Sequence, residues 1–147
     1  SNHFFTSPTR QAWDAHFKEF FIYDALLAVG LTDEALAAHE KFTASVDAKP
    51  RMPTYWFRDW FYPLWRDHGH AQVMVKFFKL LSQHAPASMT VPEMVHFMSG
   101  AAGTNLEAQA VNAFGAETVT DAALAKARLD FPNVSYPLAV PGPVTAM

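Results

Sequence analysis

Cysteine is absent from this chain. Its absence excludes disulfides, a thiol nucleophile and thiolate metal ligation, but leaves the compartment open, because many secreted domains also lack cysteine. A strong charge of either sign is missing too: 11 basic residues face 14 acidic ones, for a formal net charge of -3. Binding to phosphate backbones leaves a basic footprint, so nucleic acid is not an expected partner. No apolar run approaches the roughly 18 to 20 residues that cross a bilayer, so no membrane span is expected. Glycine is scarce, and Ser99-Gly100-Ala101-Ala102-Gly103 lacks the lysine and spacing of a phosphate-binding loop. There is no Gly-x-Ser-x-Gly elbow, and no local histidine arrangement singles out Ser82 or Ser99 as a nucleophile.

What is present is apolar and aromatic material. Half of the 147 residues are apolar and only 17% are charged, which suits one packed domain spanning residues 1–147. The opening Ser1-Asn2, without an initiator Met, reads as the trimmed start of a longer protein.

Helical punctuation recurs along the chain. Ser7-Pro8 reads as a cap and first helical residue, followed by Trp13, Phe17, Phe20, Phe21, Leu27 and Ala28 at helical spacing up to a stop at Gly30. Thr32 is the expected cap of a second helix, with the stripe Leu31, Ala35, Ala38 and Phe42, fading near Val46. Pro50 and Pro53 break the chain, and Pro63 is expected to kink or divide any helix through the aromatic segment. From about Gly69 to His84, Met74, Phe77, Phe78 and Leu81 oppose Gln72, Lys76, Lys79 and Gln83 in an amphipathic pattern. Thr90 with Glu93 and Thr104 with Glu107 both fit the capping box, so two short helices are expected, separated by Gly100 to Gly103. Gly115 reads as a left-handed cap, a last helix spans about Asp121 to Leu129, and residues from about 133 to 147 read as an extended, proline-containing tail. The expected fold class is therefore all-α: a compact bundle of about five to seven helices around an aromatic-rich core.

The most distinctive segment is Tyr55 to Trp65, with seven aromatic residues in eleven positions. Exposed indole faces stack on sugars and cations, so Trp56, Trp60 and Trp65 are candidate ligand-binding residues, with Asp24 and Arg58 as polar partners. The plainer alternative makes them core. Asp24 falls on the apolar face of the first helix, four residues after Phe20 and three before Leu27, and should need a partner; Arg58, Arg66 and His68 are available. His68 and His70 are the candidate metal ligands, since an extended His-x-His places both imidazoles on one side of the backbone. In a helix they would point about 200° apart and serve as boundary residues instead. His39-Glu40 begins like the zinc-peptidase motif His-Glu-x-x-His, but Thr43 stands where the second histidine belongs, which leaves a surface pair.

The order of aromatic segment, Asp67-His68-Gly69-His70, amphipathic helix with Phe77-Phe78, then Ser99 to Leu106 and Ala113-Phe114-Gly115 resembles the helical C-terminal lobe of secreted gluzincin-like zinc peptidases. The resemblance covers roughly residues 55 to 115. It implies a lobe packed behind a zinc-binding catalytic half, and hence a catalytic domain as partner. This chain lacks the His-Glu-x-x-His helix and a downstream glutamate ligand, so the resemblance transfers no catalytic residue.

The leading expectation is a non-catalytic accessory or scaffold domain of a larger, secreted, peptidase-like bacterial protein. One alternative is a self-contained helical metal-binding protein or metal-dependent hydrolase built from Asp24, His68 and His70, with His39. The other is a small-ligand or carbohydrate-binding domain using the aromatic cluster. The sequence names no cofactor.

Overall fold

A computed structural model describes residues 9–84 and 89–138. Among them run α1 (Thr9–Ala28), α2 (Thr32–Thr43), a π-helical segment (Trp56–Phe61), α3 (Tyr62–Asp67), α4 (Ala71–His84), α5 (Val91–Ala102), α6 (Glu107–Phe114) and α7 (Asp121–Asp130). The architecture is all-α, and the described residues contain no strand beyond an isolated antiparallel bridge between Asp47 and Thr54.

The aromatic segment is the hub. Pro63 has no N–H to offer the Asp59 carbonyl, and in a continuous α-helix its ring would press on that carbonyl. The chain answers by widening the turn before it: the Tyr62 N–H donates to the Phe57 carbonyl, five residues back, and α3 then starts with proline in its first turn. Trp56, Phe57, Trp60 and Phe61, at relative positions one, two, five and six, cover a broad face that packs on α1, α2 and α6. Trp13 of α1 meets Trp56 edge-on at 6.4 Å and lies 4.9 Å from Phe61 and 5.6 Å from Phe77 of α4. Phe114 of α6 closes the other side, 4.7 Å from Trp56 and 5.2 Å from Trp60. Burying each such ring contributes on the order of 2–3 kcal/mol from the hydrophobic effect.

Helix α5 packs between α4 and α7. Its run from Met94 to Ser99 is buried without a break, so it is a central rather than an amphipathic helix. Gly100 is part of this packing: a Cβ there would collide with Val134 and lie 3.3 Å from Leu80 Cδ1.

Several local expectations are corrected by tertiary contacts. Thr32 is the first residue of α2 and not its cap; Leu31 holds the cap position, with no side-chain hydrogen bond. The helix ends at Thr43, three residues before Val46. Of the two capping boxes, only Thr90–Glu93 forms, with the hydroxyl accepting from the Glu93 N–H and the carboxylate from the Thr90 N–H. The second fails because the Thr104 N–H is turned back onto the Ser99 carbonyl after the left-handed Gly103. Helix α6 instead starts at Glu107, whose N–H donates to Asn105 Oδ1, while the Leu106 N–H donates to the buried Ser99 hydroxyl. Thus Gly100 lies inside α5, and the break is at Gly103 alone. Gly115 has a positive φ of 95° but an extended ψ of 149°, so it ends α6 without a left-handed cap. Arg51 lies against Gly115 and donates to the Asn112 carbonyl, supplying from a distant loop the partner that the helix end requires.

The tail expected from about residue 133 is not simply extended. Val134 is buried and Tyr136 half-buried, packed against the core. Residues 139–147, the rest of that tail, and the Ser7-Pro8 helix start lie outside the described residues.

Candidate functional site

The sequence-derived site residues separate into three places. Trp56 and Trp60 are fully buried at the hub, where the Trp56 indole donates to the Lys49 carbonyl at 2.8 Å. Arg58 is on the outer side of the same turn, stacked 3.8 Å from the Tyr55 ring centroid and paired in a fork with Asp59 at 2.9 and 3.0 Å. Asp24, Trp65 and His70 do come together. The Trp65 indole donates to Asp24 Oδ1 at 2.9 Å, and its ring lies 4.2 Å from that of His70. The partner of Asp24 is thus an indole, in place of the expected arginine or histidine. Of the expected partners, Arg66 forks onto Asp67 and lies over Tyr62, and His68 caps α3.

His68 and His70 do not adopt the extended arrangement on which the metal reading rests. They form a turn in which Gly69 and His70 both have positive φ, 99° and 58°. His68 is half-buried, and burial lowers its pKa, partly offset by Asp67. Among the described residues no group of three or more His, Asp or Glu side chains is arranged to hold a metal ion. His39 packs among aromatic rings, edge-on to Tyr62 at 4.5 Å and to Phe57 at 5.7 Å. Its Nε2 is buried without an oxygen or nitrogen partner, and the surrounding aromatic faces are the interaction left to it.

Two buried histidines carry the polar networks that sequence reasoning missed. In α1, His16 bridges two carboxylates, Glu19 at 2.8 Å and Asp47 at 3.2 Å. Burial alone would lower its pKa, but the hydrogen bonds and charges of Glu19 and Asp47 outweigh it, and the net shift is upward. Asp47 belongs to the loop before the hub, pinned by its two backbone hydrogen bonds to Thr54, both 2.8 Å.

In α5, His96 is fully buried between α7 and the segment that follows it. Its Nε2 faces the Phe131 carbonyl at 2.9 Å and its Nδ1 the Tyr136 hydroxyl at 2.8 Å. A carbonyl can only accept, so Nε2 carries the proton and Nδ1 accepts from Tyr136. Arg128 Nε in turn donates to the Tyr136 oxygen at 3.3 Å. Burial pushes the His96 pKa down, and Arg128 and His84 add to the effect.

The Arg128 guanidinium also lies 4.0 Å from Glu107. The Glu107 carboxyl is raised by its hydrogen bond with Asp121, then by burial and by the Asp121 charge. Next to this network lie two shallow grooves that share Leu138. One, about 190 Å³, is lined by Arg128, Pro132, Val134 and Tyr136; the other, about 530 Å³, by Asn105, Glu107, Ala108 and Val111. Convergent polar groups with displaced pKa values beside an apolar groove are the features that mark a binding site.

A signal for both histidines existed in the sequence. His16 lies three residues after Trp13 and four before Phe20, and His96 sits inside Met94-Val95-His96-Phe97-Met98. A lone polar residue on an apolar face must find a partner, and here each did. No model of a protein family, no curated protein and no solved structure matches this chain.

Proposed function

We propose that this chain is a helical scaffold domain, an accessory body that presents surface to a partner, in keeping with its resemblance to the non-catalytic lobe of secreted peptidase-like proteins. One observation carries the reading: the aromatic segment, the sequence's strongest offer of a ligand platform, is invested in the core. Trp56, Phe57, Trp60 and Phe61 are each at most 1% exposed. Rings so enclosed hold four elements together and have no face left for a sugar or a cation.

The test is elemental mass spectrometry of the purified protein beside His68→Ala and His70→Ala, with folding of both variants checked by circular dichroism. The scaffold reading expects no stoichiometric metal after reconstitution. Near-stoichiometric zinc, iron or manganese that disappears in either variant would replace it with the metal-binding alternative.

A second reading is favoured by the grooves at Leu138. Arg128, Glu107 and Asn105 there offer a cation, a carboxyl and an amide beside Val111, Ala108 and Val134, a lining suited to a small, partly apolar ligand with a carboxylate. Titration with short-chain carboxylates, followed by the thermal midpoint, separates the two. A saturable rise abolished by Arg128→Gln supports a ligand domain, and no rise across the series leaves the scaffold reading in place.

A further inference from the structure

The segment Phe131 to Leu138 crosses back over α5 and α7 as a strap. It is held at three points. Phe131 packs 4.9 Å from Phe97, Val134 is buried against Gly100, and the Tyr136 hydroxyl lies between His96 and Arg128. The third point differs from the others in depending on one proton.

With His96 neutral, every group there is satisfied: Nε2–H donates to the Phe131 carbonyl, Tyr136 donates to Nδ1, and Arg128 donates to the Tyr136 oxygen. A second proton on the imidazole makes Nδ1 a donor. The Tyr136 oxygen then faces two donors and its own proton loses its acceptor. The added charge also sits in a fully buried ring. It is opposed by burial, by the Arg128 guanidinium from α7 and by His84 from α4 when charged, and favoured only by the Phe131 carbonyl and the more distant Glu93 carboxylate of α5. A buried charge opposed in this way is relieved by exposing it to water.

We propose that the strap is a proton-released clasp: protonation of His96 reverses its hydrogen bond with Tyr136, sets a second cation beside Arg128 on the same hydroxyl oxygen, and detaches residues 132–138 from α5 and α7 while the rest of the bundle stays folded. Release uncovers the shallow notch at Gly100 and frees the Arg128 side chain from Tyr136. The helices that pack on the aromatic hub do not share this proton, because His96 lies on the far helix, between α4 and α7.

The experiment is a pH titration of the whole chain by two-dimensional NMR from pH 7.5 to 4.5. It follows the Val134 methyls, the Tyr136 ring, the His96 imidazole and, as reference, Ala35 in α2. The expected result is that Val134 and Tyr136 move to the positions of an unstructured peptide while Ala35 does not move. Between the ordinary imidazole pKa and the lowered one, the ratio of detached to docked strap rises about tenfold per pH unit, the slope for one proton. In His96→Gln, which keeps a donor and an acceptor but cannot titrate in this range, the strap stays docked throughout. Should that variant not fold, the wild-type spectra still decide, since strap release and imidazole protonation must share one midpoint. Strap signals that hold still while His96 titrates, or that move together with Ala35, overturn the proposal.

Discussion

His16 and His96 are both buried, both on helices and both bonded through both ring nitrogens, yet they respond to protons in opposite directions. His16 is flanked by two carboxylates, so the fold favours its charged form. His96 is flanked by a hydroxyl and a carbonyl; the Phe131 carbonyl favours the charged form but does not offset burial, to which Arg128 and His84 add, so the fold favours the neutral form. Burial is the largest cause in each case and pushes both pKa values down; the partners decide which sign survives. The stability contributed by His16 is fully present below the ordinary imidazole value, near pH 6.5, and is lost as pH rises through its raised folded value. That contributed by His96 is present above about pH 6.5 and is lost as pH falls through its lowered one. Acid therefore tightens the α1 side of the molecule and loosens the strap side. The contrast teaches that a histidine's burial says little about its charge until the chemistry of its partners is known.

The two regions should also differ in how damage spreads. Trp56→Ala strikes the hub, where the indole touches Trp13, Phe61 and Phe114 and donates to Lys49. The expected cost is about 3–5 kcal/mol in urea unfolding, felt by the whole bundle. A loss below about 1 kcal/mol would mean that the hub does not organise the fold.

His16→Gln removes the charged partner of Glu19 and Asp47. At pH 5 it should lose about 1.5–3 kcal/mol, the worth of hydrogen bonds between charged groups, and the deficit should shrink as the pH rises above the folded value. His96→Gln should run the other way, gaining on the wild type as the pH falls. Parallel urea midpoints at pH 5 and 8 check both, and slopes of the same sign in the two variants would end the comparison.

Gly100→Ala places a methyl group into Val134 and Leu80. Overpacking of this kind costs about 1–3 kcal/mol, and here the strap can yield before the helices do. Detachment of Val134 at neutral pH, with α1 and α2 unaffected in hydrogen exchange, is the expected reading.

The smallest effect separates two threonines that look alike in sequence. Thr90→Ala removes a working cap and should lower stability by about 1 kcal/mol. Thr104→Ala, outside any capping box, should stay within about 0.5 kcal/mol of the wild type. Equal thermal shifts in the two would place a cap where the structure has none.

These threonines also show what could be read in advance. Thr90-Val91-Pro92-Glu93 and Thr104-Asn105-Leu106-Glu107 carry the same local signal, and the difference arises because Gly103 turns the Thr104 amide back onto Ser99. The need of Asp24 for a partner was legible from its place on an apolar face. That the partner is Trp65 was not, since the two are 41 residues apart. His96, Tyr136 and Arg128 went unread for the same reason: 40 residues separate the imidazole from the hydroxyl it accepts from.

The sequence by itself determined the all-α class, the positions of α4 and α7, the start of α5, the break at Pro50 to Pro53 and the disturbed helix at Pro63, because periodicity, proline and capping chemistry act within a few residues of one another. Only the tertiary structure decided that the tryptophans at positions 56 and 60 are core, that Thr104 caps nothing, and which buried histidine is favoured in its charged form. Those outcomes depend on groups brought together from distant parts of the chain, and burial and electrostatic partnership are properties of that assembly and not of any local run of residues.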